Sequence, residues 1–251
     1  MYICMFRFLF FLQKPKIMNL QLYFLTCLLC IGSGALSQDY AITHNEPENT
    51  VRFEITDYHL RATTLSGQQF TKLVFDAPVT TKDKGFAELP YLHASLMIDP
   101  KKNISVEITG QEYTDHPLGF PLVPSRGVIY RDQDPSQVPY AIAPESITDA
   151  LYPETLIQTT DPFIIKDVRG ATVYVYPFRY NAATQTLRVY SQITVQVTED
   201  ETPPVNPLLN PSAKKFREME GLYPSVFINY KTNGDDLSVG EAGDILVITT
   251  A

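Results

Sequence analysis

The sequence of 251 residues contains no tryptophan and only three cysteines. The cysteines are Cys4, Cys27 and Cys30, so the chain from Gln38 onward has neither a disulfide bond nor a thiol nucleophile. Its four histidines are scattered over separate segments, and none has the spacing of a zinc motif. A phosphate-binding loop, a dinucleotide fingerprint and a G-x-S-x-G elbow are also absent from the sequence. We therefore expect the chain as it stands to be no enzyme and to need no cofactor.

Basic residues are scarce as well, with 20 lysines and arginines against 28 acidic residues and a net charge of −8. The first 37 residues contain three basic side chains and no acid, and without them the net charge is −11. An acidic surface argues against nucleic acid and anionic membranes as partners. Asp132 and Asp134, in the sequence DQD, could contribute to a calcium loop. Two acids beside a proline are more typical of a turn.

The first 37 residues have the layout of a secretory signal peptide. An apolar run over residues 22–31 leads into the small residues of GSGALSQ. We predict cleavage between Ser37 and Gln38, and Met18 is an alternative start for a compact signal. A lipoprotein signal is the alternative, but neither cysteine of the run follows the small residues that acylation needs. A membrane anchor needs about 20 apolar residues, so we expect no stable membrane insertion after cleavage.

Residues 38–202 alternate between apolar and polar side chains, with the period of two that is typical of β-strands. Apolar side chains share one face in VRFEI (Val51, Phe53, Ile55) and in NISVEIT (Ile104, Val106, Ile108). The longest pattern covers residues 169–200, where we predict a long hairpin around the turn NAAT, with one face buried. The predicted buried face comprises Ala171, Val173, Val175, Leu187, Val189, Ile193, Val195 and Val197. Short strands and polar turns predict an all-β fold, an antiparallel β-sandwich or jelly-roll-like domain.

Three other segments divide the chain. Residues 116–144 are rich in proline and without periodicity, and so long a connection inside a domain is usually functional or disordered. Residues 203–242 have the composition of a linker with a short helix, for which Ser212 is the predicted N-cap and Gly221 the end. The last stretch, GDILVITTA at 243–251, is typical of a strand buried on both faces of a parallel sheet. We interpret it as the first strand of a further domain.

The hairpin region resembles the signature region of the propeptides of gingipain-type cysteine peptidases. Its most specific residues are Arg169-Gly170 before the hairpin and Pro177–Asn181 at the turn, and the resemblance covers residues 40–251. The resemblance implies that residues 38–202 form a prodomain. It also implies that residues 243–251 are the first strand of a truncated α/β caspase-like catalytic domain, whose catalytic Cys and His lie outside the sequence.

In that family the prodomain packs on the peptidase, blocks its active site and helps it to fold during export. The resemblance therefore implies a monomeric intramolecular inhibitor and folding chaperone, whose partner is the cognate cysteine peptidase domain. It also implies export to the periplasm, the outer surface or the exterior of a Gram-negative-type bacterium.

A prodomain of this kind can block a peptidase that is specific for Arg or Lys by placing a basic side chain in its acidic pocket. The best-placed candidate is Arg126 in LVPSRGVIY, and the alternatives are Arg131 and the pair Lys101-Lys102. A solvated surface charge is the other interpretation of each of them. Arg169 and Arg179 are expected to serve the fold.

Release of the peptidase needs cleavage in the linker, where an exposed basic residue would be the site. The candidates are Lys214, Lys215 and Arg217, and Lys231 nearer to the terminal strand. The alternative interpretation of these residues is a helix face with ordinary charges.

A secreted β-sandwich module that binds a surface or a carbohydrate is the alternative function. Tyr174, Tyr176 and Tyr190 are expected on the polar face of the hairpin, where they could stack on sugars. Tyrosines on the face of a sandwich more often serve packing. The apolar end of the chain favours the propeptide, because a finished binding module has no use for it.

Overall fold

The computed structural model describes residues 38–46, 49–77, 79–210, 219 and 221–231. Several features predicted from the sequence lie outside these residues, namely the signal peptide up to Ser37, the helix start at Ser212, the cleavage candidates Lys214, Lys215 and Arg217, and the strand 243–251.

The described residues form short and long strands that are joined mainly by turns. The strands are β1 (Tyr40–Asn45), β2 (Thr50–Ile55), β3 (His59–Leu65), β4 (Gln68–Val74), β5 (Val79–Thr80), β6 (Pro90–Met97), β7 (Asn103–Pro117), β8 (Leu151–Tyr152), β9 (Ile157–Thr159), β10 (Phe163–Ile165), β11 (Val168–Val175), β12 (Phe178–Asn181) and β13 (Thr186–Asp200). Two 3-10 turns (Pro135–Gln137, Pro144–Ser146) and a four-residue helix, α1 (Tyr223–Val226), accompany them.

The strands pair into two antiparallel sheets and a separate hairpin. The six-stranded sheet has the order β1-β2-β13-β12-β8, with β7 on the other edge of β13. The five-stranded sheet has the order β10-β11-β6-β5, with β9 also paired to β11. Strands β3 and β4 form the hairpin, and its turn residues Ser66 and Gly67 both have the positive φ that a tight hairpin turn requires.

Side chains of the two sheets meet in one core, so the fold is the antiparallel β-sandwich that the sequence predicts. In this core Val51, Phe53 and Val195 of the six-stranded sheet join Leu92 and Val173 of the five-stranded sheet. Each of the five is at most 2% exposed. The inward faces predicted for β2 and β11 are therefore confirmed at Val51, Phe53, Ala171, Val173 and Val175, which are all buried. The alternation predicted for β11 is wrong at Thr172, which was expected on the polar face but is buried beside Ser95, with the two hydroxyl oxygens 2.8 Å apart.

The long hairpin predicted for residues 169–200 is wrong in its pairing. Only β12 and the start of β13 pair as a hairpin, from Phe178 opposite Val189 to Asn181 opposite Thr186. Strand β11 lies in the other sheet, between β6 on one side and β9 and β10 on the other. The chain changes sheets just before β12, at Pro177, a residue that has no N–H with which to continue a ladder. The long partner of β13 is β7.

A β-bulge interrupts the alternation in the middle of β13. The register with β7 shifts between Tyr190 and Gln192, so Ser191 has no residue opposite it on β7. Tyr190 was expected on the polar face, but at this bulge it is buried in the inter-sheet core. The expectation for Ile108 is also wrong, because this side chain lies at a second register shift of the edge strand β7 and is exposed.

The described end of the chain packs on the five-stranded sheet, although it falls within the predicted linker. Tyr223 and Phe227 are buried, and the ring of Phe227 lies against Gly170 of β11. The side chain of Asn229 accepts a hydrogen bond from the Met97 N–H at 2.7 Å and donates one to the Met97 carbonyl at 2.8 Å. Asn229 thereby extends the pairing of β6 beyond its short partner β5.

Replacing Gly170 with alanine should displace this segment. A Cβ at Gly170 would overlap the ring of Phe227 and lie 3.1 Å from the Leu96 carbonyl oxygen. We expect Gly170→Ala to lower the free energy of unfolding by about 1–3 kcal/mol, as overpacking of a core typically does. Gly119→Ala is the matched control, because a Cβ there meets no atom within 4 Å. Thermal unfolding followed by circular dichroism measures both, and equal melting temperatures would contradict this account.

Candidate functional site

The long proline-rich loop between β7 and β8 begins as a buried extended segment. Residues 122–125 are buried, and they form isolated bridges with β4 (Leu122 with Thr71) and with the segment before β6 (Pro124 with Ala87). The Val123 N–H donates to the Thr71 carbonyl at 3.0 Å. These contacts fix the root of the loop on the sandwich, so the chain leaves the core at a defined point, Arg126.

Arg126 braces the loop, which means that its side chain bonds to other residues of the same loop. Its Nη1 donates a hydrogen bond to the Pro135 carbonyl at 2.6 Å, and its guanidinium carbon lies 4.6 Å from the centre of the Tyr140 ring. The Val138 carbonyl lies at 3.5 Å from the same nitrogen. A cation over an aromatic ring is attracted by its π electrons, and hydrogen bonds from a charged donor are stronger than neutral ones. The side chain thus ties the outgoing part of the loop to its return.

The tip of the loop presents Val128, Tyr130 and Arg131 to solvent. Val128 and Tyr130 are 61% and 65% exposed. The Tyr130 N–H donates to Gln133 Oε1 at 3.1 Å, and the Gln133 N–H donates to the Tyr130 carbonyl at 3.1 Å. Arg131 is exposed and makes no hydrogen bond or ion pair with the described residues. The backbone at the tip is therefore held in place while its side chains face solvent.

The two acids of the DQD sequence have different environments. Asp134 is the N-cap of the 3-10 turn at Pro135–Gln137 and accepts a hydrogen bond from the Ser136 N–H at 2.9 Å. This hydrogen bond lowers the pKa of the Asp134 carboxyl below its usual value. Asp132 is exposed. Within the described ranges, no three His, Cys, Asp or Glu side chains are grouped closely enough to hold a metal ion.

The pair Lys101-Lys102 lies at the other end of the sandwich from the long loop. The pair precedes β7, the loop follows it, and this strand of 15 residues rises about 3.3 Å per residue. Lys102 forms an ion pair with Glu199 at 2.6 Å, which raises the pKa of its ammonium group. The structure therefore brings Arg126 and Arg131 together in one loop and separates both from the lysine pair.

Arg169 and Arg179 both hold backbone carbonyls. Arg179 donates to the carbonyls of Pro153 and Glu154 at 2.8 and 2.5 Å. The guanidinium of Arg169, 1% exposed, donates to five acceptors. They are the carbonyl oxygens of Asp99, Lys102, Val205 and Asn206 and the side-chain oxygen of Asn103. Nothing in the sequence around Arg169 indicates that this charge is buried.

Lys231 ends the described chain and is exposed, with 74% of its side chain accessible. It forms an ion pair with Glu46, and the hydrogen bond from Lys231 lowers the pKa of the Glu46 carboxyl. Tyr223 and Phe227, a few residues earlier, are buried. Lys231 is therefore an exposed residue at the end of the described chain, shortly after the buried Phe227.

The three tyrosines suggested for sugar stacking do not share a surface. Tyr174 and Tyr176 are half-buried on the five-stranded sheet, where their rings pack on Tyr91 with centroids 5.7 and 5.4 Å apart. Tyr190 lies in the inter-sheet core. Tyr190 is separated from the other two because β13 and β11 belong to different sheets.

The fold and the loop define a β-sandwich domain that carries one long, internally braced loop at its end. The family model Propeptide_C25 matches residues 39–236, and the chain belongs to this propeptide family. A propeptide is not the catalytic part of a peptidase precursor, so this domain is not itself enzymatic. None of the helices in the described part of the chain is both long and apolar enough to cross a membrane.

Relatives and solved structures agree with this membership. Gingipain R2 of Porphyromonas gingivalis strain W83 is 33% identical over 189 residues, which are 73% of this chain and 26% of that protein. Gingipain R1 of P. gingivalis is 33% identical over 153 residues, 61% of this chain and 15% of that protein. The chain thus spans about a quarter or less of the length of these relatives.

Two solved structures have the same fold. A structure described as the complex of the pro- and mature domains of P. gingivalis RgpB matches with a TM-score of 0.67 and 29% identity, over 77% of this chain and 98% of the matched one. A structure on the zymogenic latency of gingipain K from P. gingivalis matches with a TM-score of 0.55 and 17% identity, over 66% and 95% of the two chains. The gingipain-type prodomain expected from the resemblance is therefore confirmed.

Removing the Arg126 guanidinium should loosen the loop without unfolding the sandwich. We expect Arg126→Ala to speed the cleavage of the loop by chymotrypsin at Tyr130 several-fold, because the loop opens more often once its brace is lost. Arg61→Ala is the control, since Arg61 is exposed on the β3–β4 hairpin and lies outside the loop. Limited proteolysis followed by mass spectrometry gives the rates, and equal rates for the two variants would refute the bracing role of Arg126.

Proposed function

We propose that this prodomain keeps a gingipain-type cysteine peptidase domain inactive and helps that domain to fold. The observation that carries the proposal is the match to the RgpB complex, in which the solved molecule contains a pro- and a mature domain together. A prodomain that is linked to its peptidase acts at millimolar effective concentration, so modest contacts suffice for latency. The alternative of a sugar-binding module has lost its support, because its three tyrosines lie apart.

The proposed inhibitory element is the long loop, and Arg131 is the side chain that we assign to the acidic specificity pocket of the peptidase. The exposure of Arg131 and its lack of a partner among the described residues support this choice. Arg126, favoured from the sequence, would first have to leave the Pro135 carbonyl and the Tyr140 ring. In this proposal Arg126 shapes the loop and Arg131 enters the pocket. Lys101 and Lys102 remain the alternatives.

An inhibition assay tests this function. The full chain without its predicted signal peptide should inhibit the catalytic domain of gingipain R2 at micromolar concentration. We expect Arg131→Ala to weaken inhibition by about a hundredfold, because removal of a central charged anchor commonly costs at least 2 kcal/mol. Arg61→Ala, on the exposed face of the β3–β4 hairpin, is the matched control.

A well-folded chain that leaves the peptidase fully active would refute the function itself. Full inhibition by Arg131→Ala would instead show that Arg131 does not enter the pocket.

Lys231 is the proposed site at which prodomain and peptidase are separated. Its exposure favours attack by a peptidase. A cut after Lys231 also leaves the buried Tyr223 and Phe227 with the sandwich, whereas a cut at Lys214, Lys215 or Arg217 would remove them from it.

Limited digestion with trypsin tests the cleavage site. We expect the first large fragment to end at Lys231, because cleavage requires an accessible backbone, and Lys231→Gln should abolish that fragment. Lys101→Gln, also exposed, is the control and should leave the fragment unchanged. Intact-mass spectrometry identifies the fragments, and a first fragment that ends at residue 214, 215 or 217 would move the site into the predicted helix.

Export is part of the same proposal. The layout of residues 1–37 supports a signal peptide that is removed between Ser37 and Gln38. We propose that the exported prodomain is monomeric, works in the periplasm or at the outer surface, and requires no cofactor. Its acidic composition agrees with a partner that is neither nucleic acid nor an anionic membrane.

A further inference from the structure

An apolar pocket opens at the base of the long loop. Its volume is about 260 Å³, and none of the described residues that line it carries a charge. Leu122 from the outgoing root of the loop and Ile142 and Ile147 from its return form two of the walls. Phe86, Tyr152 and Tyr180 are among the other lining residues. The pocket thus lies between the two roots of the loop and the sandwich.

The walls of the pocket are held in place before any partner arrives. The Ala143 N–H donates to the Gly85 carbonyl at 3.1 Å, and a Cβ at Gly85 would lie 2.5 Å from that of Ala143. The rings of Phe86 and Tyr152 pack with centroids 4.8 Å apart, and the Tyr152 hydroxyl donates to Asp83 at 2.7 Å. Pockets that bind ligands are usually formed in advance in this way.

The chemistry of the walls selects an uncharged group. The hydroxyls of Tyr152 and Ser146 already donate hydrogen bonds within the protein. The buried Tyr180 hydroxyl lies near the Leu122 backbone but forms no hydrogen bond of normal geometry with the described residues. A charged occupant would lose its hydration and find no counter-charge in the lining, which is costly. The pocket therefore fits a neutral, mainly apolar group.

We propose that this pocket receives one apolar side chain, aromatic or branched, from the peptidase domain. The inference rests on the proposed function. The volume lies below the 300–1,000 Å³ that is typical of pockets for small molecules and suits a single side chain. Because both roots of the loop form its walls, a partner seated on the loop also covers the mouth of the pocket. Ile147, 57% exposed, extends the apolar surface at this mouth.

Two variants test the pocket in the same inhibition assay. Ile147→Glu places a charge at the mouth, and Ala182→Phe fills the volume from the half-buried Ala182 in its lining. We expect each to weaken inhibition of the gingipain R2 catalytic domain by about tenfold or more, as loss of a buried anchor does. Leu209→Glu is the matched control, because Leu209 is 67% exposed and adjoins Leu208, which bonds to Pro100 before β7, at the opposite end of the sandwich.

The outcomes separate this inference from the proposed function. If the unmodified chain neither binds nor inhibits the peptidase, the proposed function and the pocket inference both fail. If it inhibits and both variants, folded by circular dichroism, inhibit equally well, only the pocket inference is wrong. Binding of indole to the free chain is a further measurement. If indole binds the free chain at micromolar concentration and both variants keep full inhibition, the pocket is a small-molecule site and the proposal is overturned.

Discussion

The hydrogen bonds of the buried Arg169 guanidinium hold one end of this prodomain together. A buried charge is tolerated only when its hydrogen-bonding capacity is used, and here four carbonyls and one side-chain oxygen surround it. Burial lowers the pKa of Arg169, yet an arginine remains charged in proteins. The acceptors come from the β6–β7 turn and from residues 205–206 after β13. One side chain therefore ties the segment after β13 to the β6–β7 turn.

The neighbouring Gly170 extends this constraint. Because Gly170 has no Cβ, the ring of Phe227 can pack directly on β11. The segment around α1 therefore covers part of the five-stranded sheet. The residue pair that carries the family resemblance thus has two physical roles. Arg169 holds the residues that follow β13, and Gly170 leaves room for the ring of Phe227. Both roles hold residues near the end of the described chain against the sandwich.

The long strands β7 and β13 separate two tasks. At one end lie Arg169, the docked segment and Lys231, the last described residue. At the other end lie the braced loop and the uncharged pocket at its base. Pairing over the length of β7 makes a stiff connection between the two ends. In the proposed function, blocking and release would therefore take place at opposite ends of one rigid body, and cutting the connection would not by itself disturb the loop.

The sequence alone determined the fold class, the inward faces of β2 and β11 and the propeptide family, because period-two burial and a distinctive local motif are visible in consecutive residues. Tertiary structure alone decided where the predicted hairpin divides between two sheets, since strand pairing depends on partners far away along the chain. It also decided that Tyr190 is buried at a bulge and that Arg169 is interior. In the same way it decided that Arg126 is held by the loop, whereas Arg131 has no partner among the described residues. Each of these depends on which distant backbone group a side chain meets, and local periodicity does not contain that information.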